Sequence, residues 1–257
     1  MKQLTDMVVS ENIRLSQNYA LLKLCVEGDG KQLPDLEPGQ FVQVDVPDSK
    51  TTYLRRPISV CNVDDQGRLW LLVRDAGQGT HALVNLQPGR KLNVLLPLGH
   101  GFSTGFERGA KVLLAGGGVG VAPLLYLGKI LAGKGVDVRF LLGARGKNDL
   151  LLIDEFKRIG QVYVSTDDGS EGTPGVVTLN PAIVSGEADF ICCCGPMPMM
   201  KAVAALARKR GIPCEVSLEN EMACGLGACL CCVEKTDKGH VCVCTEGPVF
   251  NIDRLLW

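Results

Sequence analysis

Four cysteines near the C-terminus, Cys224, Cys229, Cys232 and Cys244, form a C-x4-C-x2-C-x11-C ladder. A segment that must gather four sulfurs has little freedom in how it folds. The spacing is that of the plant-type ligands of a [2Fe–2S] cluster. Soft thiolates hold iron and spread its charge, and the short gaps let one loop wrap three corners. In Met222-Ala-Cys-Gly-Leu-Gly-Ala-Cys229, Gly225 and Gly227 admit positive φ, so backbone N–H groups can turn toward the sulfurs. A structural zinc site also takes four cysteines. It usually draws them from two well-separated C-x2–4-C knuckles, whereas three of these fall within nine residues.

A chain of 257 residues is long enough for two domains and a small appendage. With 46% hydrophobic and 21% charged residues and a formal net charge of −1, neither disorder nor a nucleic-acid partner is indicated. No apolar run approaches the ~20 residues that cross a bilayer. The first residues, Met1-Lys-Gln-Leu-Thr-Asp6, lack the apolar stretch of a signal peptide, so no membrane is expected and the location expected is cytoplasmic. Seven of the twelve cysteines lie between Cys214 and Cys244. Such crowding fits a metal site in a reducing compartment better than a spread disulfide framework.

From about residue 5 to 100 the chain reads as short strands, at 20–26, 41–46, 54–61, 68–74 and 91–96, whose spacing predicts a closed antiparallel barrel. Thr80-His-Ala-Leu-Val-Asn-Leu86 interrupts it as a helix, with Thr80 placed to cap the first turn. From about 110 strands and helices alternate: strand 111–115, helix 121–133, strand 136–142, helix 149–159, strands 161–166 and 190–194, helix 197–210. That pattern predicts an α/β doubly wound parallel sheet. The fold class expected is therefore multidomain, with a barrel over 1–103, a nucleotide-binding α/β domain over 108–213 and a small cysteine-rich domain over 214–257.

The chemistry-bearing segments punctuate this plan. Ala115-Gly-Gly-Gly-Val-Gly-Val-Ala-Pro123 is a glycine turn that delivers a strand into a helix N-terminus, where a dinucleotide pyrophosphate meets N–H groups and the helix dipole. A glycine run alone is equally a structural turn. Cys194-Gly-Pro-Met-Pro-Met-Met200 lies at a strand end, on the edge where doubly wound sheets bind ligands. Cys192 and Cys193 read as strand core. In Leu54-Arg-Arg-Pro-Ile-Ser59, Arg56 suits a phosphate and Ser59 a flavin ring edge. Val73-Arg-Asp-Ala-Gly-Gln-Gly-Thr80 adds a second phosphate-ready turn.

The order R-P-I-S, G-x-G-T, A-G-G-G-V-G, C-G-P-x-P-M, C-x4-C-x2-C and a closing C-x-x-G-P-V-F resembles the electron-transfer subunits of type B dihydroorotate dehydrogenases, within the ferredoxin reductase superfamily, over essentially the whole chain. The resemblance implies FAD in the barrel, NAD on the α/β domain and a [2Fe–2S] cluster near the C-terminus. By residue, it implies FAD contacts from Arg56, Pro57, Ile58, Ser59, Val73, Arg74, Asp75, Gly79 and Thr80. It implies NAD contacts from Gly116, Gly117, Gly118, Gly120, Cys194, Gly195 and Pro196. The ending Thr245-Glu-Gly-Pro-Val-Phe250 selects Cys244 over Cys242 as the fourth ligand, and leaves Cys231 without a ligand's place. Asp167 or Asp168, after a strand where related reductases receive the adenosine ribose, favours NAD over NADP, while Arg145 and Lys147, in what reads as a solvated loop, argue mildly the other way. No residue reads as a catalytic base for dihydroorotate.

The implied activity is electron transfer in pyrimidine biosynthesis, from an FMN-containing catalytic subunit that oxidises dihydroorotate, through the cluster and FAD, to NAD+. The implied assembly is a heterotetramer with two copies of each subunit. A second reading is the small subunit of an NADP–ferredoxin transhydrogenase or a sulfide dehydrogenase. The transhydrogenase-type relatives carry aspartate as first ligand, so Cys224 favours the first reading. A third is a colourless zinc-holding interaction module.

Overall fold

The computed structural model describes residues 1–257 except 29, 48 and 50. The N-terminal part of the fold is one antiparallel sheet: β1 (Gln3–Ser16), β2 (Tyr19–Val26), β3 (Phe41–Val44), β4 (Arg56–Ser59), β5 (Asn62–Val63), β6 (Leu69–Arg74) and, after helix α1 (Gln78–Val84), β7 (Lys91–Leu98). The strand order is β4-β3-β7-β1-β2-β6-β5. The end strands β4 and β5 share no ladder among the described residues, so the expected closed barrel is a half-barrel. Strand β1, 14 residues long, has no counterpart among the expected strands. Its polar residues blur the alternation, and pairing with both β2 and β7 fixes it instead. Thr80 also departs from expectation. It lies inside α1, and its hydroxyl accepts from Ala76 N at 2.9 Å and donates to Gly77 O at 3.1 Å rather than capping the first turn.

The turn between β5 and β6 hangs on one carboxylate. Asp64 accepts from the backbone N–H groups of Gln66 and Arg68 (both 3.0 Å), the Arg68 guanidinium (2.7 Å) and the Trp70 indole (2.9 Å). Burial pushes its pKa up, but these donors outweigh burial and hold it below the ordinary value. A depressed folded pKa contributes stability that is present above the unfolded value and lost as pH falls through the folded one. Asp64→Asn is expected to cost about 2 kcal/mol at pH 7. The gap from wild type should close as the pH of a denaturant titration is lowered below about 4.

The second sheet comprises β8 (Lys111–Gly117), β9 (Asp137–Ala144), β10 (Gln161–Thr166), β11 (Thr173–Pro174), β12 (Phe190–Cys194), β13 (Cys214–Ser217) and β16 (Val249–Asn251). Helices α2 (Ala122–Gly133), α3 (Ile153–Ile159), α4 (Pro181–Val184) and α5 (Met197–Arg210) cover it. The order is β11-β10-β9-β8-β12-β13-β16, parallel but for β16. Both faces are buried: Val112 and Leu114 pack toward α2 and α3, Leu113 and Ala115 toward α5. Continuous apolar strands such as Lys111-Val-Leu-Leu-Ala115 follow from that. Cys192 and Cys193 are 0% exposed and belong to these cores.

The cysteine-rich segment joins this sheet on both sides, through β13 before the loop and β16 after it. Between them stand the hairpin β14 (Val233–Thr236) and β15 (Gly239–Cys242) and the short helix α6 (Val243–Glu246). The chain end folds back as well: Arg208 on α5 donates to Trp257 O at 2.9 Å, and Trp257 packs beside the core. One apolar cluster links Trp70 and Leu72 of β6 to α2. Another links Phe41 of β3 and Leu98 of β7 to β13, β16, Cys232 and Cys244. The half-barrel sheet, the parallel sheet and the cysteine loop therefore share cores.

Candidate functional site

In the second sheet the chain runs outward from β8 through β9 to β10, then returns to β8's other side as β12. At that reversal the carboxyl ends of β8 and β12 stand together, with Cys194 in register with Gly116. The two separate motifs therefore touch. A Cβ on Gly120 would lie 2.6 Å from Gly195 Cα and N and 2.7 Å from Cys194 C. One on Gly117 would lie 2.5 Å from Met199 Sδ and 3.3 Å from Pro196 Cδ. The turn continues through a 3-10 segment, Gly118–Val121, into α2, with Pro123 in its first turn. A helix N-terminus at a switch point is where α/β sheets take anionic ligands.

Facing this crevice is a cavity of about 310 Å³. Pro57, Ile58 and Ser59 of β4, Arg74 at the end of β6 and Thr80 of α1 form one wall. Val119 and Ala122, at the entry to α2, form a second. The third comes from Ser217 to Asn220, Met222 and Pro248, which flank the cysteine loop. Of the other residues expected to hold FAD, Arg56 packs across Gly79, where a Cβ would sit 2.8 Å from Arg56 Cδ. Its neighbour Arg55 is a strut, donating to Asn93 O (2.8 Å) and Oδ1 (2.7 Å). Val73 is 1% exposed in the half-barrel core, which leaves its backbone, not its side chain, for a ligand. Asp75 pairs with His81 at 2.8 Å.

Glu219 was not among the expected site residues. Its carboxylate accepts from the Cys194 thiol at 3.7 Å. The crowding of the cavity wall raises its pKa, against the opposing effects of Cys194 and Arg74. Burial likewise raises the Cys194 thiol, so it stays protonated. A lone glutamate after a strand carries no sequence signal, because its partner is 25 residues away.

Asp168 lies two strands from the glycine turn, at the end of β10. It accepts from Ser170 Oγ (2.6 Å) and N (2.9 Å), which hold its carboxyl below the ordinary range. The Ser170 hydroxyl in turn accepts from Lys147 N at 2.8 Å, tying two loops at one edge of the sheet. A larger hollow of about 730 Å³ lies between α3 and α4, and none of the expected site residues lines it.

In the cysteine loop Gly225 and Gly227 have φ of 69° and 80°, and Leu230 is left-handed at 60°. The turned backbone delivers N–H groups to sulfur: Leu226 N to Cys224 Sγ at 3.3 Å, Gly227 N to Cys244 Sγ at 3.2 Å, Cys244 N to Cys232 Sγ at 3.4 Å. Such donors, first the Leu226 amide, bring the Cys224 thiol down to about 6, while burial pushes Cys244 up to about 12. The sulfurs lie close together: Cys224 interacts with Cys229, and Cys232 with both Cys244 and Cys242. Among the described residues, no three His, Cys, Asp or Glu converge on a single ion. A [2Fe–2S] group takes thiolates whose charge is met by backbone N–H groups, and the amides turned onto Cys224, Cys232 and Cys244 fit it. Cys244 and Cys232 are 0% and 2% exposed, while Cys229 and Cys231 are exposed. Cys242 turns its thiol to Gly227 O at 3.9 Å, the orientation of a protonated donor.

Residues 219–256 match the model for the iron-sulfur cluster binding domain of dihydroorotate dehydrogenase B, and residues 6–102 match that for the oxidoreductase FAD-binding domain. A curated protein of Bacillus mycoides, "Dihydroorotate dehydrogenase B (NAD(+)), electron transfer subunit", is 39% identical over the full length of both chains. Its namesake in Geobacillus thermodenitrificans is 43% identical over 84% of this chain and 85% of its own. Among solved structures, one of an NADH-dependent reduced ferredoxin-NADP oxidoreductase superposes with a TM-score of 0.85 at 29% identity, over 98% of this chain and 90% of that one.

Proposed function

Because the chain belongs to the family of dihydroorotate dehydrogenase B electron-transfer subunits, we propose that it carries electrons from a catalytic subunit, in which FMN oxidises dihydroorotate, to NAD+. The observation that carries this reading is the cavity walled jointly by Pro57 to Ser59, the start of α2 and the approach to the cysteine loop. A relay needs its two-electron and one-electron ends side by side, and such a junction supports that. Bound there, FAD exchanges two electrons with a nicotinamide and single electrons with an iron-sulfur cluster.

In this reading residues 1–103 hold FAD, 108–213 hold NAD and 214–257 hold the cluster. Arg56, with the turn at Gly79 and Thr80, would take the FAD phosphates; Pro57, Ile58, Ser59 and Arg74 would line its ring, with Val73 and Asp75 supplying backbone. Gly116, Gly117, Gly118 and Gly120 would receive the NAD pyrophosphate at the α2 N-terminus, and Cys194, Gly195 and Pro196 would bound the nicotinamide. Glu219 keeps a carboxyl beside Cys194 and shares its proton at Oε1. Cys224, Cys229, Cys232 and Cys244 would ligate the cluster.

The partner would be the FMN-containing subunit, in a complex of two copies of each chain whose mass light scattering would measure. No described helix is long and apolar enough to cross a membrane, and free thiols suit the cytoplasm. The test is to mix the cluster-loaded protein with that FMN subunit. Dihydroorotate-dependent NAD+ reduction supports the proposal. Its absence, or ferredoxin-dependent turnover with NADP in its place, overturns it.

Asp168 would set the choice of dinucleotide, since its ionised carboxylate repels a 2′-phosphate and accepts from a 2′-hydroxyl. Asp168→Asn keeps the Ser170 contacts and removes the charge. The ratio of KM for NADPH to that for NADH, measured by flavin reduction, is expected to fall about tenfold.

A further inference from the structure

Gln43 sits in the middle of β3, 0% exposed. In a strand, alternate residues share a face, so Gln43 projects to the same side as Phe41. Phe41 lines the 310 Å³ cavity. Gln43 meets the cysteine loop, 180 residues away in sequence, donating from Nε2 to Ala223 O at 3.4 Å. The loop crosses directly over it: a Cβ on Gly225 would lie 3.0 Å from both Cγ and Nε2 of Gln43. The residues on either side of Cys224 thus both touch this one side chain.

The other end of the carboxamide is left over. Gln43 Oε1 is buried with no hydrogen-bond partner. Buried amides are nearly always satisfied, and an orphaned acceptor is disfavoured. Turning the group over would aim its oxygen at the loop. That would set it against the Ala223 carbonyl oxygen, in a loop whose N–H groups at Leu226, Gly227 and Cys244 already turn to sulfur. The orphan is what remains when the NH2 end is required on the cysteine side.

We propose that the Gln43 carboxamide tunes the cluster: its NH2 end pins the Cys224 corner of the loop to the half-barrel and lends a dipole that favours the reduced, more negatively charged state. Gln43 is a positioning residue, acting through the loop. It rests on the cluster reading, and the measurement separates the two.

The full-length protein, loaded with FAD and cluster, is titrated with dithionite under EPR, the cluster gaining one electron per chain. Gln43→Met keeps the length and removes the dipole. At a set potential its reduced-to-oxidised cluster ratio is expected to fall about tenfold, a shift of about −59 mV for a one-electron couple, with FAD content unchanged. An unmoved potential in a loaded Gln43→Met protein overturns the proposal. Should that variant not retain its cluster, Gln43→Glu, which fills the same space without the NH2 group, is read instead, and an unmoved potential there overturns it equally. Wild-type protein that binds FAD but no iron overturns the cluster reading and this proposal together.

Discussion

Cys244→Ser is expected to yield a protein that binds FAD, accepts electrons from NADH and carries no [2Fe–2S] signal. Changing a group that merely supports a ligand costs 10–100-fold in metal affinity, so losing the sulfur itself should lower retained iron by more than about a hundredfold. Dihydroorotate-dependent reduction of NAD+ by the complex with the FMN subunit should fall to background. Cys242→Ser is the matched control. Its thiol points at Gly227 O, whereas Cys244 Sγ receives the Gly227 N–H at 3.2 Å and is wholly buried beside Cys232. The Cys242 variant should keep its iron and its EPR spectrum. Iron lost from Cys242→Ser and kept by Cys244→Ser would reassign the fourth ligand.

The second large effect belongs to Gly120. Its missing Cβ is what lets the glycine turn rest on the strand end at Cys194 and Gly195, and the atoms in the way are backbone. Alanine there cannot be relieved by a rotamer change. Gly120→Ala is expected to cost about 1–3 kcal/mol of stability. A displacement of about 1 Å at the proposed dinucleotide site should slow flavin reduction by NADH about a hundredfold, with the cluster spectrum unchanged. Gly133→Ala, at the end of α2 with no atom within 4 Å of the new methyl, should leave the rate at the wild-type value. Equal rates in the two variants would show that the close approach at Gly120 carries no function.

Much of this molecule was legible from spacing because its chemistry is local in the chain. A glycine turn between a strand and a helix reads directly as α/β, and β8, the Gly118–Val121 turn and α2 lie where the pattern put them. The same holds for β12 and α5 around Cys194-Gly-Pro196. Where neighbours set the outcome, pattern failed. Strand β1 is held by two partners rather than by its own alternation. Phe41-Val-Gln-Val44 reads as an alternating strand, and all four residues are buried, since the cysteine loop covers the face that Gln43 occupies.

The sequence by itself determined the kinds of chemistry this protein can perform and the order in which they occur along the chain. Ligand type, glycine content and short spacing are properties of a few adjacent residues, and no partner is needed to interpret them. Only the tertiary structure decided how those parts meet. The glycine turn and Cys194 adjoin because the sheet reverses between β8 and β12. The cavity has its third wall because β13 and β16 bind the cysteine loop to the parallel sheet. Gln43 and Glu219 meet their partners because segments 180 and 25 residues apart pack together. Such contacts come from the burial of shared apolar surface, which is summed over the whole fold and written in no single stretch of it.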